Sequence, residues 1–570
     1  MAAEYLFMLS GFINTNPMHT TSDELGAIVG AAKLAGLDWT GINEFYNYYG
    51  FGWYSLFFWI FFITDNPVVI YRVVVAVTSL WRIAIIPVSF HIQRKYLGVT
   101  CDAVTYMIAA AMPFLYSDVV GKISNEYILE SVVWIAILLL CIINERLNEN
   151  KKVAGVTVLL IVLITYVQTI HTRAIILTIS VALALTWLQI KNRRLNQAVL
   201  SFSLIALLHW ITRGIINAFI GGVFQTRTTG ISNISVSVSD NIHLFDTTSW
   251  IIWGEMTVGI LFTKMAVTGG MLSVCIVAFF FLLNQKHKSV DRRGNYEDIV
   301  LFVSMFCCIC VFGGFLLGSW FERIYALWGT NAMGSNYAVK GFSYIRYWDA
   351  FAPPAIMVLL NKTIHVLPRR FLAYAMMLHL IFATVYSRTV LPIIRTNQNA
   401  FSPFFGLARK TWGMTLGERD YWYVILVSIC VLQVFCLFLW ARKPIISLVV
   451  LLSFFVVTQS NSLYSDFRTK QKTYRMIEAS YVKMGEIKNQ GVDVGEIYIV
   501  DERKSDNNWK LYCIAQFYFN RYSIKDGIPK SVGNQDIIIS TQPLEDGFGN
   551  IGVKEYKLSD NTYWYTFMEL

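Results

Sequence analysis

Two adjacent acids stand near the start of the chain, in the stretch TTSDELGAIVGAAKLAGLDWTGINEFYNYYGFGWYSLFFW, residues 20–59. Asp23 and Glu24 follow a short apolar segment, a third acid follows at Asp38, and an aromatic-rich run comes next. A carboxylate beside a membrane can act as a general base that takes the proton from an attacking hydroxyl. The same two acids also fit the first turn of a helix predicted over 24–35. The residues alone leave both interpretations open.

A second group of acids lies in YSDVVGKISNEYILES, residues 116–131. The group holds Asp118, Glu126 and Glu130 between two apolar runs. Two carboxylates from different loops that meet at one cavity would activate and position an acceptor hydroxyl. The alternative for each of these acids is a solvated loop residue without a chemical role.

The third group is cationic. QTIHTRAI places His171 and Arg173 between two apolar runs, and GFSYIRYWDAFAPP places Arg346 between Tyr344 and Tyr347. Arginine in an aromatic setting at a membrane interface suits a lipid phosphate, because guanidinium forms bidentate, charge-assisted hydrogen bonds. The alternative is an arginine that extends to the interface beside an aromatic belt.

Composition indicates the class of protein that must position these groups. The chain has 570 residues, of which 55% are hydrophobic and 15% charged, with a mean hydropathy of +0.49. A soluble protein has about 25% charged residues. Repeated apolar runs predict a polytopic helical membrane protein. Arg82 lies inside one of these runs, where a charge needs a partner or a water-filled cavity.

The net charge of +10 is not a nucleic-acid signal, because much of it lies in short loops. Six basic loops hold 17 Lys or Arg and are predicted to be cytoplasmic: 91–98, 144–152, 191–196, 285–293, 361–370 and 441–443. Between them we predict thirteen spans, with the N-terminus inside and the C-terminus outside, at 1–15, 71–90, 99–116, 127–143, 153–170, 174–190, 197–213, 266–284, 297–318, 351–366, 371–387, 422–440 and 444–459. The shorter apolar runs 51–64 and 250–263 are predicted to lie at the outer interface.

Two domains are predicted. Residues 1–463 form the membrane domain, whose first outer loop is 16–70, and residues 464–570 form a small extracytoplasmic α+β domain. In the second domain a helical pattern that ends at Gly491 precedes four strand-like stretches, which are GEIYIVD, KLYCIAQFYF, QDIIIST and the hairpin VKEYKLSDNTYWYTF.

Several motifs of soluble enzymes are missing from the sequence. It contains no Walker A loop, no GxGxxG after a strand, no HExxH and no GxSxG. The few histidines are scattered, and the nine cysteines lie mostly inside apolar runs, where packing is their expected role. No cofactor is predicted, and a divalent metal is possible but not indicated.

Four stretches together resemble a known family: YYGFGWYSLFFWIFFITDNPVVIYRVV, SNEYILESVVWIAILL, HTRAIILTIS and GFSYIRYWDAFAPPAI. With the acid pair in a long first outer loop, they resemble the GT-C superfamily of membrane glycosyltransferases, which includes the protein O-mannosyltransferases and the aminoarabinose transferases. The resemblance covers roughly residues 1–460. It implies a mostly α, GT-C-like bundle of about 13 transmembrane helices with outer juxtamembrane helices.

The resemblance also implies a reaction. A sugar carried on a polyprenyl phosphate would pass, usually with inversion, to an acceptor on the outer face of the membrane. Asp23, with Glu24 beside it, would be the general base, and Glu126, with Asp118 as its rival, would be the second-loop acid. Arg346 and Arg173 would hold the lipid phosphate as it leaves. The remaining substrate-binding residues would be His171, Asp38, Tyr344 and Tyr347.

The implied partners are a polyprenyl-phosphate-sugar donor, membrane lipids and a cell-envelope acceptor, which would be a polysaccharide, a teichoic-acid-like polymer or a glycolipid. The implied location is a bacterial plasma membrane. One alternative is an O-antigen-type polymerase or ligase, which uses diphosphate-linked donors and typically depends on arginine-rich outer loops. Another is a lipid-linked-sugar flippase or transporter, which predicts an internal repeat and polar sites at the membrane midplane.

Overall fold

The computed structural model describes residues 3–6, 21–39, 49–116, 123–224, 246–285, 294–311, 324–326, 328, 342, 346–366, 369–392, 418–443, 445–454, 456–457, 479–487, 494–500, 508–527, 529, 531, 533–540, 543–544, 554–559 and 562–566. This part of the chain is mostly helical. Six of its helices are long and apolar enough to cross a membrane. The chain is a multi-pass membrane protein, as its composition indicates.

The helices are numbered here in chain order. They are α1 (Thr21–Leu34), α2 (Phe51–Phe57), α3 (Ile60–Ile63), α4 (Pro67–His91), α5 (Asp102–Ala111), α6 (Glu126–Asn148), α7 (Ala154–Ile170), α8 (Ala174–Lys191), α9 (Leu195–Phe219), α10 (Thr247–Val267), α11 (Met271–Gln285), α12 (Gly294–Val311), α13 (Arg346–Asp349), α14 (Ala352–Val366), α15 (Arg369–Thr389), α16 (Glu418–Arg442), α17 (445–454), α18 (479–487) and α19 (Asn508–Tyr518). A 3₁₀ turn, Met112–Leu115, extends α5, and π turns follow α4 (Ile92–Tyr96) and α9 (Ile220–Phe224).

The short helices α1, α2 and α3 precede the first long one, α4. Two residues fix the start of α4. Asn66 caps the helix by accepting hydrogen bonds from Val68 N (3.0 Å) and Val69 N (3.2 Å), and Pro67 occupies the first turn. Helix α1 begins at Thr21, three residues before the predicted start at 24, so both acids of the pair lie in its first turn. The apolar run predicted at 51–64 is divided into α2 and α3.

The prediction of a short interfacial helix at 250–263 is wrong in its length. These residues belong to α10, which has 21 residues and is one of the six candidate spans. The predicted span 266–284 is divided at Gly269 and Gly270, which have φ values of 57° and 84°. Their amides bond Ala266 O (3.1 Å) and Met265 O (2.9 Å), which ends α10 before α11 begins.

The C-terminal residues 494–566 contain a five-stranded sheet. Its strands are β1 (Ile497–Val500), β2 (Ile524–Asp526), β3 (Ile537–Ser540), β4 (Lys554–Ser559) and β5 (Thr562–Thr566), in the order β2-β1-β3-β5-β4. Strand β1 runs parallel to β2 and β3, and β5 runs antiparallel to β3 and β4. We call residues 494–566 the α+β unit.

One predicted strand in this unit is wrong. The stretch KLYCIAQFYF, rich in aromatic and apolar residues, is the helix α19. Because β1 and β2 are parallel, the chain between them must cross over, and α19 forms this connection. Its side chains Ile514, Phe517 and Tyr518 are buried. The predicted hairpin is confirmed as β4 and β5.

Candidate functional site

Glu24 is fully buried, at 0% exposure, and it is held by residues far away in sequence. Its Oε1 accepts a hydrogen bond from the Tyr71 hydroxyl in α4 (2.7 Å) and another from the amide of Ile123 (3.0 Å), just before α6. Glu24 therefore links α1 to α4 and to the segment before α6, in addition to its place in the first turn of its own helix. A buried carboxylate needs such donors, because an unpaired charge inside a protein is costly.

Asp23 is one residue earlier in the same helical turn. The structure describes its backbone and not its side chain. The residues from Glu24 to Ala32 are all buried. Helix α1 is therefore packed inside the fold along most of its length.

The segment that receives Glu24 continues directly into the second acid. Asn125 donates its side-chain amide to Tyr49 O (2.8 Å) and to Ile170 O at the end of α7 (3.0 Å). Glu126, the next residue, is the first of α6 and is 5% exposed. The acid pair and Glu126 thus lie at the same end of the bundle, which we call the α1 end.

Glu126 forms a buried cluster with two of the predicted cationic residues. Arg173 makes a short ion pair with Glu126 through Nη2, and His171 Nε2 lies 3.8 Å from Glu126 Oε1. His171 Nε2 is also 3.1 Å from Arg173 Nη2, and His171 Nδ1 accepts the Arg173 backbone N–H at 3.1 Å. Side-chain exposures are 6% for Arg173, 7% for Glu126 and 12% for His171. The structure brings together three residues that the sequence separates into two groups.

Close backbone approach helps to form this end. Gly50 has a φ of 115°, and a Cβ there would lie 2.3 Å from Ile170 O and 2.4 Å from Thr169 O. Only glycine adopts such a φ readily. The approach brings the chain before α2 against the end of α7, next to His171.

We expect Gly50→Ala to lower the free energy of unfolding by about 3 kcal/mol, since both the backbone φ and the carbonyl contacts oppose a Cβ. Gly36→Ala is the matched control. Gly36 also has a positive φ, 84°, but no atom lies within 4 Å of the added Cβ, so we expect only about 1 kcal/mol. Unfolding of the purified variants in detergent measures both values, and equal losses would contradict the packing argument.

Asp38 lies beyond α1 and is exposed. Its role in the described structure is electrostatic. Burial lowers the pKa of Lys33, in the last turn of α1, to about 8, and the charge of Asp38 acts in the opposite direction. Since that pKa is below the value of an unfolded lysine, the folded protein loses this proton first, and the contribution of Lys33 to stability improves as pH rises above about 8.

We therefore expect Lys33→Met to stabilise the protein relative to wild type at pH 7, and this advantage to shrink by about pH 10. Denaturant unfolding of both proteins at the two pH values measures the difference. An advantage that is the same at both values would show that the folded state does not depress the pKa of Lys33.

Besides Asp23, four predicted site residues have side chains outside the described part of the structure. Asp118 and Tyr344 lie outside the described residues. Arg346 and Tyr347 belong to the short helix α13, and the structure describes their backbone only. Within the described part of the chain, no three His, Cys, Asp or Glu residues come together as ligands for a metal ion.

Two buried ion pairs were not predicted. Arg82 Nε lies 3.5 Å from Glu130 Oε2, and its guanidinium carbon lies 4.9 Å and 4.7 Å from the ring centroids of Tyr116 and Tyr127. A charge inside an apolar run indicates a partner, but the identity of that partner depends on how α4 packs against α6.

The second pair joins Lys264 of α10 to Asp349 of α13 through a short contact. The ammonium group also donates to Leu115 O at 2.9 Å. The signal in the sequence was a lysine inside the apolar stretch GILFTKMAV. The pair anchors the helix that carries Arg346 against α10 and against the 3₁₀ turn after α5.

No family model matches the chain, and no curated protein matches it in sequence. Among solved structures, ArnT from Cupriavidus metallidurans bound to undecaprenyl phosphate matches with a TM-score of 0.50 and 13% identity, over 100% of this chain and 97% of that one. The arabinosyltransferase EmbB from Mycobacterium smegmatis matches with a TM-score of 0.42 and 11% identity, over 81% of this chain and 41% of that one.

The likeness to ArnT extends over the whole chain and shows its fold. This ArnT-like fold agrees with the mostly α bundle that the resemblance implied.

Proposed function

We propose that this protein is a membrane glycosyltransferase that moves a sugar from a polyprenyl-phosphate-linked donor to a cell-envelope acceptor. One observation carries the proposal. On a fold like that of ArnT, which was crystallised with undecaprenyl phosphate, the buried Glu24 and the buried ion pair of Glu126 with Arg173 lie at the same end of the bundle. Acyl, phosphoryl or hydride transfer would need other groups, and the sequence lacks their usual motifs.

The reaction is a displacement at the anomeric carbon of the sugar. The acceptor hydroxyl forms the new C–O bond, the bond between sugar and phosphate breaks, and the polyprenyl phosphate leaves with the electron pair. Attack from the side opposite the phosphate inverts the anomeric configuration. Asp23 receives the hydroxyl proton as the general base. Glu24, bound by Tyr71 and Ile123 N, holds the turn of α1 that carries Asp23.

The leaving phosphate gains negative charge in the transition state, so fixed cations there increase the rate. Arg346 and Arg173 have this role in the proposal. Arg173 is already oriented by Glu126 and His171, which reduces the reorganisation needed when the lipid phosphate arrives. Glu126, with Asp118 as the rival candidate, positions the acceptor. Asp38, Tyr344 and Tyr347 contact the substrates.

We propose that the α1 end faces the outside of a bacterial plasma membrane and that the N-terminus is cytoplasmic. The basic loops at 91–98 and 144–152 follow the opposite ends of α4 and α6, which supports this orientation. The α+β unit contacts the α1 end and would then be extracytoplasmic. An acceptor on the cell envelope could reach the acids from that side, and the donor could reach them from the bilayer.

Transfer from a panel of radiolabelled polyprenyl-monophosphate sugars, with purified protein in lipid nanodiscs, tests the function. Turnover of one monophosphate donor identifies the class and the sugar together. Matched diphosphate-linked oligosaccharides are the second arm of the same assay. Turnover of those donors alone would replace the proposal by a polymerase or ligase, and movement of a labelled lipid across proteoliposomes without transfer would replace it by a flippase.

A further inference from the structure

The α+β unit is attached to the bundle through Asn520 and Arg521, which follow α19. Arg521 Nε donates to Asp65 Oδ1 (2.7 Å), and its Nη2 donates to Phe61 O (2.5 Å). Asn520 Nδ2 donates to Asp65 O (2.8 Å). Two consecutive residues therefore bind both α3 and the loop that leads into α4.

A third contact leads to α1. The buried indole of Trp39 donates to Asn520 O (2.9 Å), and its ring packs edge-on against Phe61, with ring centroids 6.1 Å apart. Asn520 itself is only 2% exposed. At this contact, the exposed ion pair of Arg521 with Asp65 lies next to the buried hydrogen bond from Trp39 to Asn520 O.

Trp39 is rigidly connected to α1. Gly36, which has a φ of 84°, closes the last turn just beyond the end of α1. Gly36 N donates to Lys33 O (3.0 Å), and Leu37 N donates to Ala32 O (3.1 Å). Only two residues separate this closed helix end from Trp39. A displacement of Asn520 is therefore transmitted to α1, which also packs directly against α19.

Helix α1 needs this support. It has 14 residues, and a helix of that length is only marginally stable without tertiary packing. Its first turn carries the acid pair. We propose that Asn520 and Arg521 are positioning residues: they lock the α+β unit onto α3, the start of α4 and Trp39, and so hold α1 at the orientation in which Asp23 can act. The catalytic consequence rests on the proposed function, but the structural locking does not.

The test is a charge exchange between Asp65 and Arg521. Their side chains are 49% and 36% exposed, so reversed charges remain solvated and the variants can fold. Arg521→Asp and Asp65→Arg are made singly and together. Lys525→Glu is the matched control, because it breaks an equally exposed ion pair, with Glu496, inside the α+β unit.

The first measurement is hydrogen–deuterium exchange of the α1 amides in residues 24–34. We expect faster exchange in each single variant, recovery in the double variant and no change in Lys525→Glu. Unchanged exchange in Arg521→Asp would overturn the proposal whatever the enzyme does. Faster exchange of the α1 amides in Lys525→Glu would also overturn the proposal, because any damage to the α+β unit would then loosen α1, and Asn520 and Arg521 would have no special role.

The second measurement separates kcat from KM for the monophosphate donor. We expect kcat to fall about tenfold in each single variant, since small displacements of a catalytic group have effects of this order or more. The double variant should regain most of the rate, with the KM for donor little changed throughout. If exchange responds as expected while wild-type protein turns over no donor, the locking stands and the proposed function fails. If exchange responds while kcat does not, the catalytic part of the inference fails.

Discussion

Asp23→Asn is expected to lower the rate of sugar transfer at least a hundredfold, with the KM for donor little changed. Positioned general bases contribute about 10²–10⁴-fold to rates, and an asparagine amide cannot accept the hydroxyl proton at neutral pH. The substitution preserves size and first-turn position in α1, so the fold should persist. The rate is measured with the donor that wild type accepts, at saturating acceptor.

The neighbouring acid provides a sharp contrast. Glu24 accepts its hydrogen bonds from Tyr71 and Ile123 N at one oxygen, and the carbonyl oxygen of a glutamine can accept both. Glu24→Gln should therefore keep most of the rate. Asp102→Asn is the control for a lost surface charge. Asp102 is the first residue of α5, and its side chain is 74% exposed. A severe loss in Glu24→Gln with full activity in Asp23→Asn would exchange the two roles.

The second large effect concerns stability. We expect Lys264→Met and Asp349→Leu each to lower the free energy of unfolding by about 3–5 kcal/mol, because each leaves one charge buried without its partner. The side chains of Lys264 and Asp349 are 0% and 3% exposed, so water cannot compensate. The double variant should recover most of the loss, since apolar side chains of similar volume often replace a buried ion pair without cost.

Chemical unfolding in detergent measures these changes, with Lys483→Met as the control. Lys483 pairs with Glu486 at 3.0 Å on an exposed helix face, and such pairs contribute about 0–1 kcal/mol. A double variant that is as unstable as the singles would mean that Lys264 matters mainly through its bond to Leu115 O. Restored stability with a raised KM for donor would indicate that the pair positions α13.

The predicted membrane class was correct because it depends on composition and on the length of apolar runs, which need no tertiary information. The positions of most long helices follow from the same runs, and the start of α4 follows from Asn66 and Pro67. Two local errors have different causes, one tertiary and one in the helix caps. Helix α19 has strand-like residues, but it connects parallel strands. Helix α10 extends beyond its most apolar part, because both its ends are fixed by capping, at Asp246 and at Gly269–Gly270.

The sequence by itself determined which residues could do chemistry: an acid pair before aromatic segments, further acids near 126, arginines beside apolar runs, and one arginine inside a run that required a partner. Only the tertiary structure decided which of them meet. Glu126 lies with Arg173 and His171, Arg82 lies with Glu130, and Glu24 reaches Ile123 N. The sequence separations are large, and side-chain pairing across helices depends on their rotation and depth. Local patterns report periodicity along one helix and do not report its packing against the next.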